Sequence, residues 1–111
     1  MNELQKLMDD IREWSDKTFD PENKGRSPIP ILHHLIKEVP EAIEACKKFP
    51  HKNSVGYWEF ADCLMLILDA ANHYGMDADH LIGFTKAKLN INKKRKWGKP
   101  DENGVIEHIK E

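Results

Sequence analysis

The sequence predicts an all-α fold, a four-helix arrangement in a single domain spanning residues 1–111. Three observations predict it. Apolar residues recur at helical spacing in four segments, strand-like alternation occurs nowhere, and breaks rich in Pro, Gly and Asn separate the periodic stretches. A length of 111 residues fits one domain. With 40% hydrophobic and 32% charged residues, the composition is that of a folded domain. The longest apolar run, Cys63 to Leu68, is far short of the roughly 20 residues a membrane span needs. The start, MNELQKLMDDIREW, carries acids where a signal peptide has a cationic start and an apolar block. Cys46 and Cys63 match neither a disulfide framework nor a CxxC metal site, so buried thiols in a reducing cytoplasm are expected.

The first helix is expected from about Asn2 to Trp14, with Leu4, Leu7, Met8, Ile11 and Trp14 on one stripe. Thr18–Pro30 is crowded with Pro, Gly, Asn and Ser and reads as a long ordered loop. The second helix, Ile31 to Lys48, turns Leu32, Leu35, Ile36, Val39 and Ile43 inward, and Pro40 inside it predicts a kink. The third, Tyr57 to Tyr74, is the most apolar, with Ala61, Leu64, Met65, Leu68 and Ala71 on one side. Gly75 suits its C-terminal cap, and Asp77 or Asp79 caps the next helix. The fourth, His80 to Trp97, starts apolar and finishes basic; Gly98 and Pro100 end it, and a polar C-terminal tail follows.

Charge is unevenly placed. Seven of the seventeen basic residues fall in Lys86–Lys99, which holds no acid. The rest of the chain sets nineteen acidic residues against ten basic ones, a balance of −9. An acidic body with one basic strip points either to a polyanion-binding surface or to a metal site beside an anion site.

The acids favour the second. Glu38 and Glu41 lie three residues apart in the second helix, and Glu59 and Asp62 do so in the third. That spacing puts each pair on one face, about 5–6 Å apart at Cβ. Both pairs border the apolar stripe, so two packed helices would gather four carboxylates in one pocket. Carboxylates that close take up protons unless a cation neutralises them, and oxygen-only ligands select Mg²⁺ or Mn²⁺. One such pair alone is most often a solvated helix face; two on consecutive helices weigh against that. No ExxH, HExxH, Walker A or GxGxxG pattern competes. In the fourth helix Lys88, Asn92 and Arg95 share a face, suited to phosphate oxygens, though a basic helix C-terminus also arises without a ligand.

ExxE, seventeen residues, ExxD and a downstream Lys-x-x-x-Asn-x-x-Arg resemble the MazG-type all-α nucleoside triphosphate pyrophosphohydrolases. Trp14, Thr18-Phe19, His34-Leu35-Ile36-Lys37-Glu38, Trp58-Glu59, Asp62, Asp69, Asn92-x-x-Arg95-x-Trp97 and Ile106-Glu107-His108 narrow the resemblance to the dATP/dGTP diphosphohydrolase (MazZ-like) branch. It runs from Trp14 to Lys110. The resemblance implies cleavage between the α and β phosphates of a purine deoxynucleoside triphosphate, dGTP or dATP, yielding a monophosphate and pyrophosphate in purine pool control. It implies Mg²⁺, with Mn²⁺ as substitute, held by catalytic Glu38, Glu41, Glu59 and Asp62, and substrate contacts from Lys88, Asn92, Arg95, His34 and Trp97. His34 either meets the base or orients a carboxylate; Trp14, Phe19 and Trp97 either stack on a purine or belong to the core. Asp69 is either a further ligand or a helix-packing residue. A homodimer or homotetramer, in a bacterial or phage-infected cytoplasm, is implied as well.

Two other functions compete. One is a nucleic-acid-binding helical module using Lys86–Lys99, against which an acidic body repels a long polyanion. The other is a non-catalytic helical partner protein with solvated carboxylates.

Overall fold

The computed structural model describes residues 2–110. Four helices are present: α1 (Glu3–Phe19), α2 (Pro28–Lys48), α3 (Ser54–His73) and α4 (Ala78–Lys94). The described residues form no strand, only an isolated bridge between Trp97 and His108.

Side-chain caps set the helix starts. Asn2 Oδ1 accepts from Gln5 N at 2.7 Å, Ser27 Oγ from Ile29 N at 3.1 Å, and Asn53 Oδ1 from Val55 N at 2.9 Å. Each satisfies one of the orphan donors of a first turn. The caps also correct the expected boundaries. Ser27 followed by Pro28 starts α2 three residues before Ile31, because proline at the first helical position loses no hydrogen bond. At the other side α1 runs on through Thr18 and Phe19, shortening the loop to residues 20–27. α2 continues as one helix through Pro40. At the end of α3, Gly75 (φ 99°) donates to Asn72 O and Met76 to Ala71 O, both at 3.0 Å, the paired bonds of a Schellman cap. α4 begins at Ala78, which puts Asp77 at the capping position and Asp79 in the first turn.

The chain divides into two compact units, residues 1–79 and 80–111. In the first, α3 is the shared partner of α1 and α2. Met8, Ile11, Ile31 and Leu68 are its larger buried apolar side chains, with Ala45, Ala70 and Ala78 beside them, joined by the polar pair Ser15 and Asp69.

Much of the expected inward stripe lies outside that core. Leu32, Ile36, Val39 and Ile43 of α2 are exposed, Ile36 at 65%, and so are Leu64 and Met65 of α3; Phe60, outside the expected stripe, is exposed as well. Three helices have too little surface to cover every amphipathic face, so one flank of the α2–α3 pair stays bare. Cys46, expected to be buried, is exposed, and Cys63 is half-buried.

In the second unit the tail folds back. Gly98 N donates to Glu107 O at 2.9 Å and Ile109 N to Lys96 O at 2.8 Å. Asp101 Oδ1 accepts from Asn103 N and Val105 N, and Gly104 (φ 81°) closes the turn. The polar tail is therefore an ordered segment paired with residues 96–98.

Candidate active site

α2 and α3 pack along each other, so the carboxylates spaced one turn apart on each helix meet across the interface. One oxygen from each of Glu38, Glu41 and Glu59 lies within 4.8 Å of the others. Asp62, exposed, lines the same cavity as Glu38, and its charge acts on Glu41.

The electrostatics are those of crowded acids. Hydrogen bonding to Glu38 and the charges of Glu38 and Glu59 hold the Glu41 carboxyl above its ordinary value. Glu38 moves the other way: the bond from Glu41 keeps it below its ordinary value, against burial and with help from His34. Opposite shifts of this kind are what like charges in contact produce. Cys63 sits in the same field; burial first, then the charges of Glu38, Asp62, Glu59 and Glu41, push its thiol up. Glu59 Oε2 is buried with no hydrogen-bond partner. A buried carboxylate oxygen without a donor is costly, and a hard cation would remove that cost. Convergent carboxylates, one of which holds an orphaned oxygen, fit a divalent ion.

His34, one turn before Glu38, places Nε2 at 3.1 Å from Glu38 Oε1, which makes it an orienting partner of that carboxylate. Beside the acids lies a cavity of about 180 Å³, bounded by Trp14, Phe19, Arg26, His34, Asp62 and Asp69 among others. Trp14 meets Phe19 edge to face, with centroids 5.5 Å apart, and the Arg26 guanidinium sits 4.6 Å from the Phe19 ring centre.

Asp69 anchors this wall. Its Oδ2 accepts from Arg26 Nη1 at 2.9 Å, and its Oδ1 accepts from Ser15 Oγ at 2.9 Å and lies 3.1 Å from His73 Nδ1. His73 Nε2 in turn meets Asp16 Oδ1 at 2.7 Å, and Arg12 Nε reaches Asp16 Oδ2 at 3.3 Å. Against the upward push of burial, the bond and charge of His73 and then Arg12 hold Asp16 below its ordinary value. Of the alternatives open for Asp69, the structure shows a residue bonded to α1 and to the loop before α2. Ser15, Asp16 and His73 were not singled out from sequence. The available signal was Asp69 itself, a lone acid at the end of an apolar run, which requires buried partners.

The basic candidates belong to the second unit. α4 ends at Lys94, so Arg95 lies just past the helix rather than within it. Arg95 N donates to Asn92 O at 3.2 Å and Arg95 Nη1 to Asn92 Oδ1 at 3.1 Å, which keeps the two side chains together. Lys88 is exposed on α4. Trp97 is also outside the helix; its Nε1 donates to Asn92 O at 3.0 Å and its ring meets His108 edge to face, centroids 6.1 Å apart. No described helix is long and apolar enough to cross a membrane.

Comparisons agree with these features. Residues 7–111 match the model of the dATP/dGTP pyrophosphohydrolase family. The dATP/dGTP diphosphohydrolase of cyanophage S-2L is 33% identical over 106 residues, covering 96% of this chain and 88% of its own length. A solved structure of the cyanophage S-2L MazG-like pyrophosphohydrolase, bound to dGDP and three catalytic Mn²⁺ ions per active site, is similar at a TM-score of 0.67. It shares 30% identity and covers 99% of this chain and 100% of its own. A four-helix chain with convergent acids on α2 and α3, matched over nearly its whole length, belongs to the dATP/dGTP pyrophosphohydrolase family, hydrolases of phosphorus anhydrides.

Proposed function

We propose that this protein hydrolyses dGTP or dATP between the α and β phosphates, releasing pyrophosphate, with Mg²⁺ as its ion and Mn²⁺ as a substitute. The observation that carries this reading is the convergence of Glu38, Glu41 and Glu59 within 4.8 Å, with Glu59 holding a buried, unpartnered oxygen. Those three and Asp62 would hold the ions. When bound, divalent ions offset phosphate charge and acidify an attacking water. Glu38, oriented by His34 Nε2 at 3.1 Å, is the carboxylate placed to take a proton from that water. Lys88 and Arg95 would offset charge on the triphosphate, Asn92 would set the Arg95 side chain, and Trp97 would contact the substrate.

The whole chain acts as one domain in this reading, in the cytoplasm of a bacterium or a phage-infected host, controlling the purine pool. It works as a homodimer or homotetramer. The bare flank of α2 and α3, with Ile36, Ile43 and Phe60 exposed, supports association through that face. Nucleic acid is not a partner.

The test is product analysis of purified protein with Mg²⁺ or Mn²⁺ and a panel of nucleotides. Pyrophosphate and a monophosphate from dGTP or dATP are expected. Orthophosphate as first product, or a preference for dCTP or dUTP, overturns the reading.

A further inference from the structure

We propose that Arg26 reads the purine base and favours guanine over adenine, an inference that rests on the pyrophosphohydrolase reading above. The cavity bounded by Glu38 and Asp62 is also bounded by Trp14, Phe19, Arg26 and Asp69. A nucleotide whose phosphates met ions on the acids would, in this proposal, direct its base into that cavity. The polar groups there are few, and most are occupied. Asp69 is taken up by Ser15, His73 and Arg26. His34 is bonded to Glu38. Glu38 and Asp62 belong to the acidic cluster.

Arg26 differs from these. One of its nitrogens, Nη1, is bound to Asp69, and its guanidinium carbon lies over the Phe19 ring, 4.6 Å from the centre, so two contacts restrain it. Its side chain is 16% exposed and that of Asp69 6%, so the pair is held largely out of water. A guanidinium carries five N–H donors and no acceptor. The bond to Asp69 leaves donors for a ligand. Guanine offers two adjacent acceptors, O6 and N7, on one edge; adenine offers N7 beside an N6 amino donor. A fixed pair of donors matches the first and opposes the second. Phe19 is already covered by Arg26, which leaves the Trp14 ring as the stacking surface.

The experiment compares dGTP, 7-deaza-dGTP and dATP as substrates of the wild-type protein, Arg26→Lys and Arg26→Ala, with dGDP and dADP binding measured calorimetrically. In the wild type, kcat/KM for dGTP should exceed that for dATP and for 7-deaza-dGTP by about tenfold or more, the range of a bidentate base contact. In both variants that ratio should fall toward one, dGDP affinity dropping while dADP affinity changes little. Lysine keeps the charge beside Asp69, so Arg26→Lys guards against a loss that merely reflects misfolding. Equal use of dGTP and 7-deaza-dGTP by the wild type overturns the proposal alone. So does a uniform loss on all three substrates in both variants, which would make Arg26 a structural tie. Absence of pyrophosphate release from any nucleotide overturns the parent reading together with it.

Discussion

Ser15 Oγ donates to Asp69 Oδ1 at 2.9 Å within the α1–α3 interface, where Ser15 is fully buried and Asp69 almost so. The bond ties the helix that carries Trp14 and Phe19 to the helix that carries Glu59 and Asp62. Through Asp69 it also holds Arg26 and the loop of residues 20–27 against the cavity. Removing the hydroxyl leaves a buried carboxylate short of a donor. Ser15→Ala should cost about 1–3 kcal/mol, and Asp69→Ala about 3–5 kcal/mol because it strands Arg26. Urea denaturation measures both; a loss under 0.5 kcal/mol, roughly that of an ordinary surface substitution, would show that the network carries little.

The acidic cluster predicts opposite effects on turnover and on stability. Glu38→Gln, Glu59→Gln and Asp62→Asn should each abolish most activity without unfolding the protein. Glu41→Gln should raise the melting temperature in chelator, since it relieves repulsion among acids whose oxygens lie within 4.8 Å. Thermal scans with and without Mn²⁺ read this directly. The ion should stabilise the wild type and have less effect on each variant.

Asp16 sets a pH dependence. Its folded-state value lies below the ordinary 3.8, through His73 and Arg12 acting against burial. A depressed carboxylate contributes stability that is present above 3.8 and lost as pH falls through the lower folded value. Asp16→Asn should therefore be less stable than the wild type at pH 6, and the gap should close on acidification below 3.8. Denaturation midpoints across that range test it, and a gap that stays constant with pH would contradict it.

Association predicts a fourth outcome. Sedimentation should give a mass of at least two chains of 12.9 kDa. Phe60→Glu, on the apolar groove that Val39 and Ile43 share, should shift the protein toward monomer. A fully active wild-type monomer would remove the subunit interface from the mechanism while leaving the acidic site in place.

Local chemistry determined much of this protein. Helical periodicity, the cap residue Gly75, and the i,i+3 spacing of Glu38–Glu41 and Glu59–Asp62 each act within one turn, so the chain alone expresses them, whereas Asn53 starts α3 at Ser54, three residues before the expected Tyr57. The helix edges were harder to read: Phe19 continues α1, and Pro28 begins α2, because capping bonds outweigh the local preference of a Pro- and Gly-rich stretch. Only the tertiary structure decided which apolar residues lie inside. Ile31 is fully buried while Ile36 is exposed, although both belong to one helix, since burial depends on which flank α3 covers. The tertiary structure alone also joined Ser15, Arg26, His73 and Asp69. Their separation along the chain spans 58 positions at its widest, from residue 15 to residue 73, and no periodicity links residues that meet only because three helices pack together.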